Sequence, residues 1–191
     1  MKKVFYTWND IERMCSNIIV QMYNDKWTPD YIVGITRGGL IPATILSNTL
    51  NIPMHTLDVR LRDTEGLSEP EHNLWMSKDA FGYNDPEKSG VTGARWDPGQ
   101  KKKILIVDDI NDTGATFNWI KHDWQESCMP DEEQAWNCVW NKTVKFAVLT
   151  QNIASEFDID YYSDECNKLE QPLWQVYPWE VVGKYEVRSW N

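Results

Sequence analysis

The sequence predicts an α/β domain with a mostly parallel sheet and helices on both of its faces. Three observations carry that prediction. Short apolar runs at 31–36, 103–107 and 144–149 read as strands buried on both faces. Between them stand segments whose apolar residues recur at spacings of three and four, the period of an amphipathic helix. The two patterns alternate along the chain, which implies right-handed crossovers between parallel neighbours. With 191 residues and 41 % hydrophobic content the chain can fill one core, so 1–191 is expected to be a single domain.

The first helix follows from Ile11, Met14, Cys15, Ile18, Ile19 and Met22, which form one apolar stripe. Thr7, with Asp10 three residues on, has the form of a capping box at its start. Trp27, Thr28 and Pro29 break the pattern before the strand at 31–36, and Arg37-Gly38-Gly39 turns the chain into a helix through Ala43, Leu46 and Leu50. A short strand is expected at 54–60. From 62 to about 100, Gly, Pro, Asp, Glu and Ser are frequent and no apolar periodicity is sustained, so this stretch is expected to be a long insertion or lid. The strand at 103–107 is the most apolar and is expected to end at Asp108-Asp109. A helix at about 115–126, packed through Phe117 and Ile120, and a strand at 144–149 complete the alternation.

Charge and composition exclude several classes of function. Nineteen Lys and Arg against twenty-nine Asp and Glu leave a net charge of −10, which repels phosphate backbones and anionic headgroups, so neither a nucleic-acid nor a membrane partner is expected. Cys15, Cys128, Cys138 and Cys166 contain no C-x-x-C pair and lie at no zinc spacing from His55, His72 or His122. No apolar run approaches the ~20 residues of a membrane span, and 1–14 turns polar too early for a signal peptide. A soluble, reduced, cytoplasmic chain is expected. Eleven tryptophans exceed ordinary use; most are expected in packing, with one or two left for stacking on a ligand.

The segment 107–116, VDDINDTGAT, sets three carboxylates and two hydroxyls between a buried strand and a helix. The helix start offers free N–H groups and the positive end of a dipole, and Gly114 allows an anion to approach closely. Tandem acids just ahead accept hydrogen bonds from a sugar diol and help neutralise a divalent cation. A phosphorylated sugar fits both halves. Three rival readings explain less. Asp112 or Thr113 as a plain N-cap leaves the other acids without a role. A Walker B strand lacks any G-x-x-x-x-G-K-[ST] to accompany it. An aspartic-protease dyad built from Asp112-Thr113-Gly114 across a homodimer leaves Asp108 and Asp109 unexplained.

Residues 104–116, ILIVDDINDTGAT, resemble the phosphoribosyl pyrophosphate (PRPP) motif of type I phosphoribosyltransferases: four apolar residues, two acids, two variable residues and D-T-G-x-T. Residues 35–42, ITRGGLIP, resemble that family's pyrophosphate loop, in the form used by bacterial xanthine-guanine phosphoribosyltransferases. Thr7-Trp8 and the segment 174–180, WQVYPWE, are similar to elements of the same subfamily.

The resemblance implies a type I phosphoribosyltransferase fold with a small hood built from the two chain ends. It implies Mg²⁺-dependent transfer of 5-phosphoribosyl from PRPP to a nitrogenous base, expected to be a purine. The products would be a nucleoside 5′-monophosphate and pyrophosphate, in nucleotide salvage, by a homo-oligomer of two or four chains. A PRPP-responsive regulatory protein with little transferase activity is the alternative. By the same resemblance Asp108 and Asp109 would bind the ribose hydroxyls and share Mg²⁺, and Asp112 would handle the proton at purine N7. Thr113, Gly114, Ala115 and Thr116 would hold the 5′-phosphate. Thr36, Arg37, Gly38 and Gly39 would hold pyrophosphate, in a loop where the family often has a cis peptide. Trp174, with Gln175 beside it, would flank the purine. The subfamily's lysine for the purine 6-oxo group is absent; its place is taken by Gln151, or by Asn152 with a one-residue slip. An amide there is expected to blunt the choice between 6-oxo and 6-amino purines. Lys78, Lys88 and Arg95 are candidates for closing over the pyrophosphate.

Overall fold

The computed structural model describes residues 2–59, 74–84, 95–128 and 133–180. In chain order its elements are β1 (Lys2–Phe5), α1 (Trp8–Asn24), β2 (Tyr31–Ile35), α2 (Leu40–Leu50), β3 (Met54–Leu57), α3 (Leu74–Phe81), β4 (Tyr83–Asn84), β5 (Arg95–Trp96), β6 (Ile104–Asn111), α4 (Ala115–Ser127), β7 (Val144–Asn152), β8 (Tyr161–Cys166) and β9 (Leu173–Val176). Five strands form one sheet in the order β3-β2-β6-β7-β8, every neighbouring pair parallel. This is the mostly parallel, helix-flanked sheet expected from the alternation.

Each face carries its own core. Leu105 and Val107 of β6 point to α1 and α2, joining Ile11, Met14, Ile18 and Leu46, whereas Ile104 and Ile106 point to α3 and α4, joining Met76, Phe81, Phe117 and Trp124. Burying each such side chain stabilises the fold by ~1.5–3 kcal/mol, and the two-sided burial explains why these strands are continuously apolar. The capping box forms: the Thr7 N–H donates to the Asp10 carboxylate at 2.8 Å, and the Asp10 N–H donates to Thr7 Oγ1 at 3.2 Å.

Several boundaries differ from the sequence reading. Strand β6 does not stop at Asp108 but continues to Asn111, because β7 runs beside it as far as Asn152 and keeps the ladder paired. The polar residues at its end are therefore held by strand geometry rather than by a turn. The stretch 62–100 contains structure after all: α3 buries Met76, Ser77, Ala80 and Phe81, and β4 pairs antiparallel with β5. Eight residues are too few for the helical period to stand out. Residues 60–73 and 85–94, the rest of the expected lid, lie outside the described residues, as does the last part of the expected strand at 54–60. Strands β1, β8 and β9 were not foreseen, since β1 and β8 are largely polar. β1 pairs parallel with β9, Lys2 opposite Leu173 and Phe5 opposite Val176, so the two ends of the chain form the small hood. Among the described residues no helix is long and apolar enough to cross a membrane.

Candidate active site

Because β2 and β6 are parallel neighbours, the loops that leave them meet at the carboxyl edge of the sheet, where open α/β sheets bind ligands. The turn after β2 presses against the acids of β6. A Cβ on Gly38 would lie 2.0 Å from Asp109 Oδ2, so only glycine admits the carboxylate at that position. The Thr36–Arg37 peptide is cis. Thr36 Oγ1 donates to Asp58 Oδ1 at 2.8 Å, which pins the loop to the end of β3, and Arg37 is exposed.

Asp108 and Asp109 stand side by side, the Asp109 N–H donating to Asp108 Oδ1 at 2.9 Å. Each keeps part of its surface open while protein atoms crowd the rest. Burial, then the neighbouring Asp109 charge, holds the Asp108 carboxyl well above the usual carboxylate range, although the Gly39 N–H partly counters this. Burial, then the Glu180 charge, pushes Asp109 up to about 6. Two acids so placed gain from hydroxyl donors or a cation.

Beyond Asn111, Asp112 and Thr113 are exposed, and Gly114 turns the chain into α4 at φ +86°, with a Cβ there only 2.7 Å from that of Phe157. Gly114 brings no side chain to cap α4, and Thr113 Oγ1 reaches the Ala115 N–H at 3.4 Å. The first turn of α4 therefore presents amides and the Thr116 hydroxyl to an anion. Asp108, Asp109, Asp112, Thr113, Gly114, Ala115 and Thr116 line one cleft of about 680 Å³, with Val59 on its wall.

Gln151 does not join them. It is buried, its Oε1 accepting from Asn111 Nδ2 at 2.9 Å and its Nε2 donating to the Asn152 carbonyl at 3.1 Å. Strict alternation from Leu149 would have put it on the other face. Thr150 instead bonds Tyr177 on the same face as Leu149, and the phase shifts by one. The residue that reaches the site is Asn152, whose Nδ2 donates to the Asp112 carbonyl at 2.8 Å. Trp174 is exposed on β9, while Gln175, next in the strand, is buried with its Nε2 3.2 Å from Cys166 Sγ. Lys78 is exposed on α3; the side chain of Arg95 and all of Lys88 lie outside the described residues.

Three participants escaped the sequence reading. Lys168, in the turn after β8, places Nζ 3.0 Å from Asp112 Oδ1. Tyr177 donates its hydroxyl to the Asp109 carbonyl at 3.0 Å. Asp58 anchors Thr36. Lysine in a polar turn and tyrosine in an aromatic run carry no local signal of such contacts, which join strands far apart in sequence.

Comparisons with known proteins agree with this geometry. A family model described as the phosphoribosyl transferase domain matches residues 3–185. The chain is 27 % identical to a hypoxanthine-guanine phosphoribosyltransferase of Schizosaccharomyces pombe over 94 % of this chain and 89 % of that protein. It is 24 % identical to xanthine phosphoribosyltransferase 1 of Saccharomyces cerevisiae over 75 % of this chain and 69 % of that one. The crystal structure of a purine phosphoribosyltransferase from Pyrococcus horikoshii superposes with a TM-score of 0.60 at 26 % identity, covering all of both chains. The family match takes in the hood, the glycine turn and the acid-bearing strand alike, and the chain belongs to the phosphoribosyl transferase family of enzymes.

Proposed function

We propose that this enzyme transfers 5-phosphoribosyl from PRPP to a purine, forming a nucleoside 5′-monophosphate and releasing pyrophosphate. One observation carries the reading: the paired acids and the amide-lined start of α4 share a single cleft, so a ribose diol and its 5′-phosphate are recognised from adjoining walls. The relatives named for hypoxanthine, guanine and xanthine support a purine as acceptor.

PRPP would lie with its 5′-phosphate on Thr113–Thr116, its hydroxyls on Asp108 and Asp109, and its pyrophosphate on Thr36–Gly39. As the C1′–oxygen bond breaks, its electron pair leaves with pyrophosphate and positive charge gathers at C1′, where the acid pair complements it. The purine nitrogen bonds to C1′, and Asp112, open at the cleft edge, takes the proton the base must lose. The donor set suits Mg²⁺, which commonly takes one or two carboxylates and completes its shell with substrate phosphates and water. Among the described residues no group of three or more His, Cys, Asp or Glu competes for it. Asp108 and Asp109 would hold the ion, which when bound neutralises the departing pyrophosphate. Among the described residues Cys15, Cys128, Cys138 and Cys166 form no disulfide, which suits work in a reducing cytoplasm, in nucleotide salvage.

Incubation with PRPP, Mg²⁺ and guanine, hypoxanthine, xanthine or adenine tests the reading. Pyrophosphate and nucleotide should appear in equal amounts with at least one base. PRPP binding without nucleotide from any base would favour a regulatory protein instead.

A further inference from the structure

We propose that a second cavity, on the flank of α4 beyond the cleft, binds a small zwitterion of the free amino-acid class, its carboxylate held by Lys121 and its ammonium by Glu133. The inference goes beyond the transferase reading and does not rest on it.

The cavity lies between α4 and the chain that leads into β7, including the 3₁₀ stretch Glu133–Cys138. Asn118, Lys121 and Gln125 of α4, spaced three and four residues apart and so on one helix face, line it together with Glu133, Asn137 and Trp140. Its volume of about 310 Å³ is at the lower end of the roughly 300–1,000 Å³ typical of small-ligand sites. It shares no lining residue with the cleft.

Two donors on its walls lack hydrogen-bond partners among the described residues. Lys121 Nζ lies 4.7 Å from the centre of the Phe157 ring, 5.6 Å from that of Trp140 and 5.7 Å from that of Phe146. Ring faces attract an ammonium, yet its N–H groups still seek acceptors. Burial draws the Lys121 ammonium down from its ordinary range, against the pull of Asp160, Asp158 and Glu133. Asp160 is already engaged, its Oδ2 accepting from the Phe146 N–H at 2.8 Å and its Oδ1 from Asn141 Nδ2 at 3.2 Å. Trp140 is 8 % exposed, and its Nε1 is buried with no partner. Buried donors are as a rule paired, so an orphan on a cavity wall points to an acceptor from outside the chain.

The charges select the class of ligand. Lys121 and the indole N–H of Trp140 suit a carboxylate. A plain anion would meet like charge at Glu133, which lines the same cavity and whose field reaches Lys121. Among the described residues neither Lys121 nor Glu133 has an ion-pair partner, so the two stand apart with the cavity between them to share. A molecule that carries a carboxylate and an ammonium on one short skeleton satisfies both. The amides of Asn118, Gln125 and Asn137 both donate and accept, which suits a polar side chain on that molecule.

Indole N–H spectra of the isotopically labelled chain read the site directly, with the Trp140 signal identified by its loss in Trp140→Phe. When the standard free L-amino acids are titrated one by one, at least one with a polar side chain should shift that signal saturably; L-glutamine is the first probe. Analogues of the binder that lack the α-ammonium or the carboxylate should bind about 10- to 100-fold more weakly. Lys121→Met, which keeps an apolar stem on the rings, and Glu133→Gln should each weaken binding by a similar factor, whereas Lys121→Arg should retain it. PRPP binding by calorimetry, unchanged in these variants, checks that each chain is folded. No saturable shift with any amino acid, analogues that bind as tightly as the amino acid, or a shift indifferent to both charge-removing substitutions would overturn the inference.

Discussion

The hydroxyl of Tyr177 lies 3.0 Å from the carbonyl oxygen of Asp109 and 3.0 Å from Thr150 Oγ1, so the hood is bonded to the strand that carries the acids. Tyr177 is fully buried, stacks on Tyr6 at 5.3 Å and on Trp179 at 4.9 Å, and thereby ties both chain ends to the floor of the cleft. Tyr177→Phe keeps the stack and strips the bond from the buried Thr150 hydroxyl and the half-buried Asp109 carbonyl. We expect a stability loss of about 1–3 kcal/mol by denaturant unfolding. PRPP affinity should also weaken severalfold, because the Asp109 backbone loses its tether. Unchanged affinity would confine Tyr177 to packing.

A second prediction concerns the glycine turn. Gly38→Ala sets a methyl 2.0 Å from Asp109 Oδ2, a clash with the tip of a side chain rather than with backbone. The fold should survive while the carboxylate swings away. Losing a hydrogen bond to a charged group costs about 1.5–3 kcal/mol, so PRPP binding by calorimetry should fall about 10- to 100-fold with an unaltered circular dichroism spectrum. Retained binding would place the sugar elsewhere than on Asp109.

The raised carboxyl of Asp109 makes a prediction about pH. It titrates at about 6 in the folded chain, against about 3.9 when unfolded. Between those values the folded state binds the proton more strongly, so this carboxyl's contribution to stability is full below about pH 4 and is lost as pH rises through about 6. About two units correspond to ~3 kcal/mol, reduced by water on the open side to ~1–3 kcal/mol. Without ligand, Asp109→Asn should be more stable than the parent by that amount at pH 7.5 and equal to it at pH 4, as read by urea unfolding. Equal stability at both pH values would mean that the acid carries no such strain. The same variant should lose PRPP, since the charge that costs stability is the one the ligand uses.

What the sequence disclosed follows from the range of the interactions involved. Apolar runs such as 104–107 and the Thr7–Asp10 box are local, and a single stretch suffices to read them. The acids, Thr113 and Gly114 were legible because strand, turn and helix start are consecutive. Lys168, Asn152 and Asp112 meet only through the pairing of β6, β7 and β8, which no local pattern encodes. The resemblance puts Gln151 where the subfamily has its lysine, but a phase shift at Leu149 and Thr150 turns its side chain into the core.

The last prediction follows from that shift. On sequence alone, Gln151→Lys should restore a donor to the purine and favour 6-oxo bases. In the structure, Gln151 Oε1 is bonded to Asn111 Nδ2 and its Nε2 to the Asn152 carbonyl, all within the core beside Phe157. A lysine would leave Asn111 facing a donor and would bury an unpaired charge, at a cost of about 2–4 kcal/mol. Gln151→Lys should therefore unfold at clearly lower urea concentration, while the folded enzyme keeps its hypoxanthine-to-adenine ratio within about twofold, since position 151 is bonded into the core and does not line the cleft. A rise in that ratio without loss of stability would show that residue 151 reaches the purine.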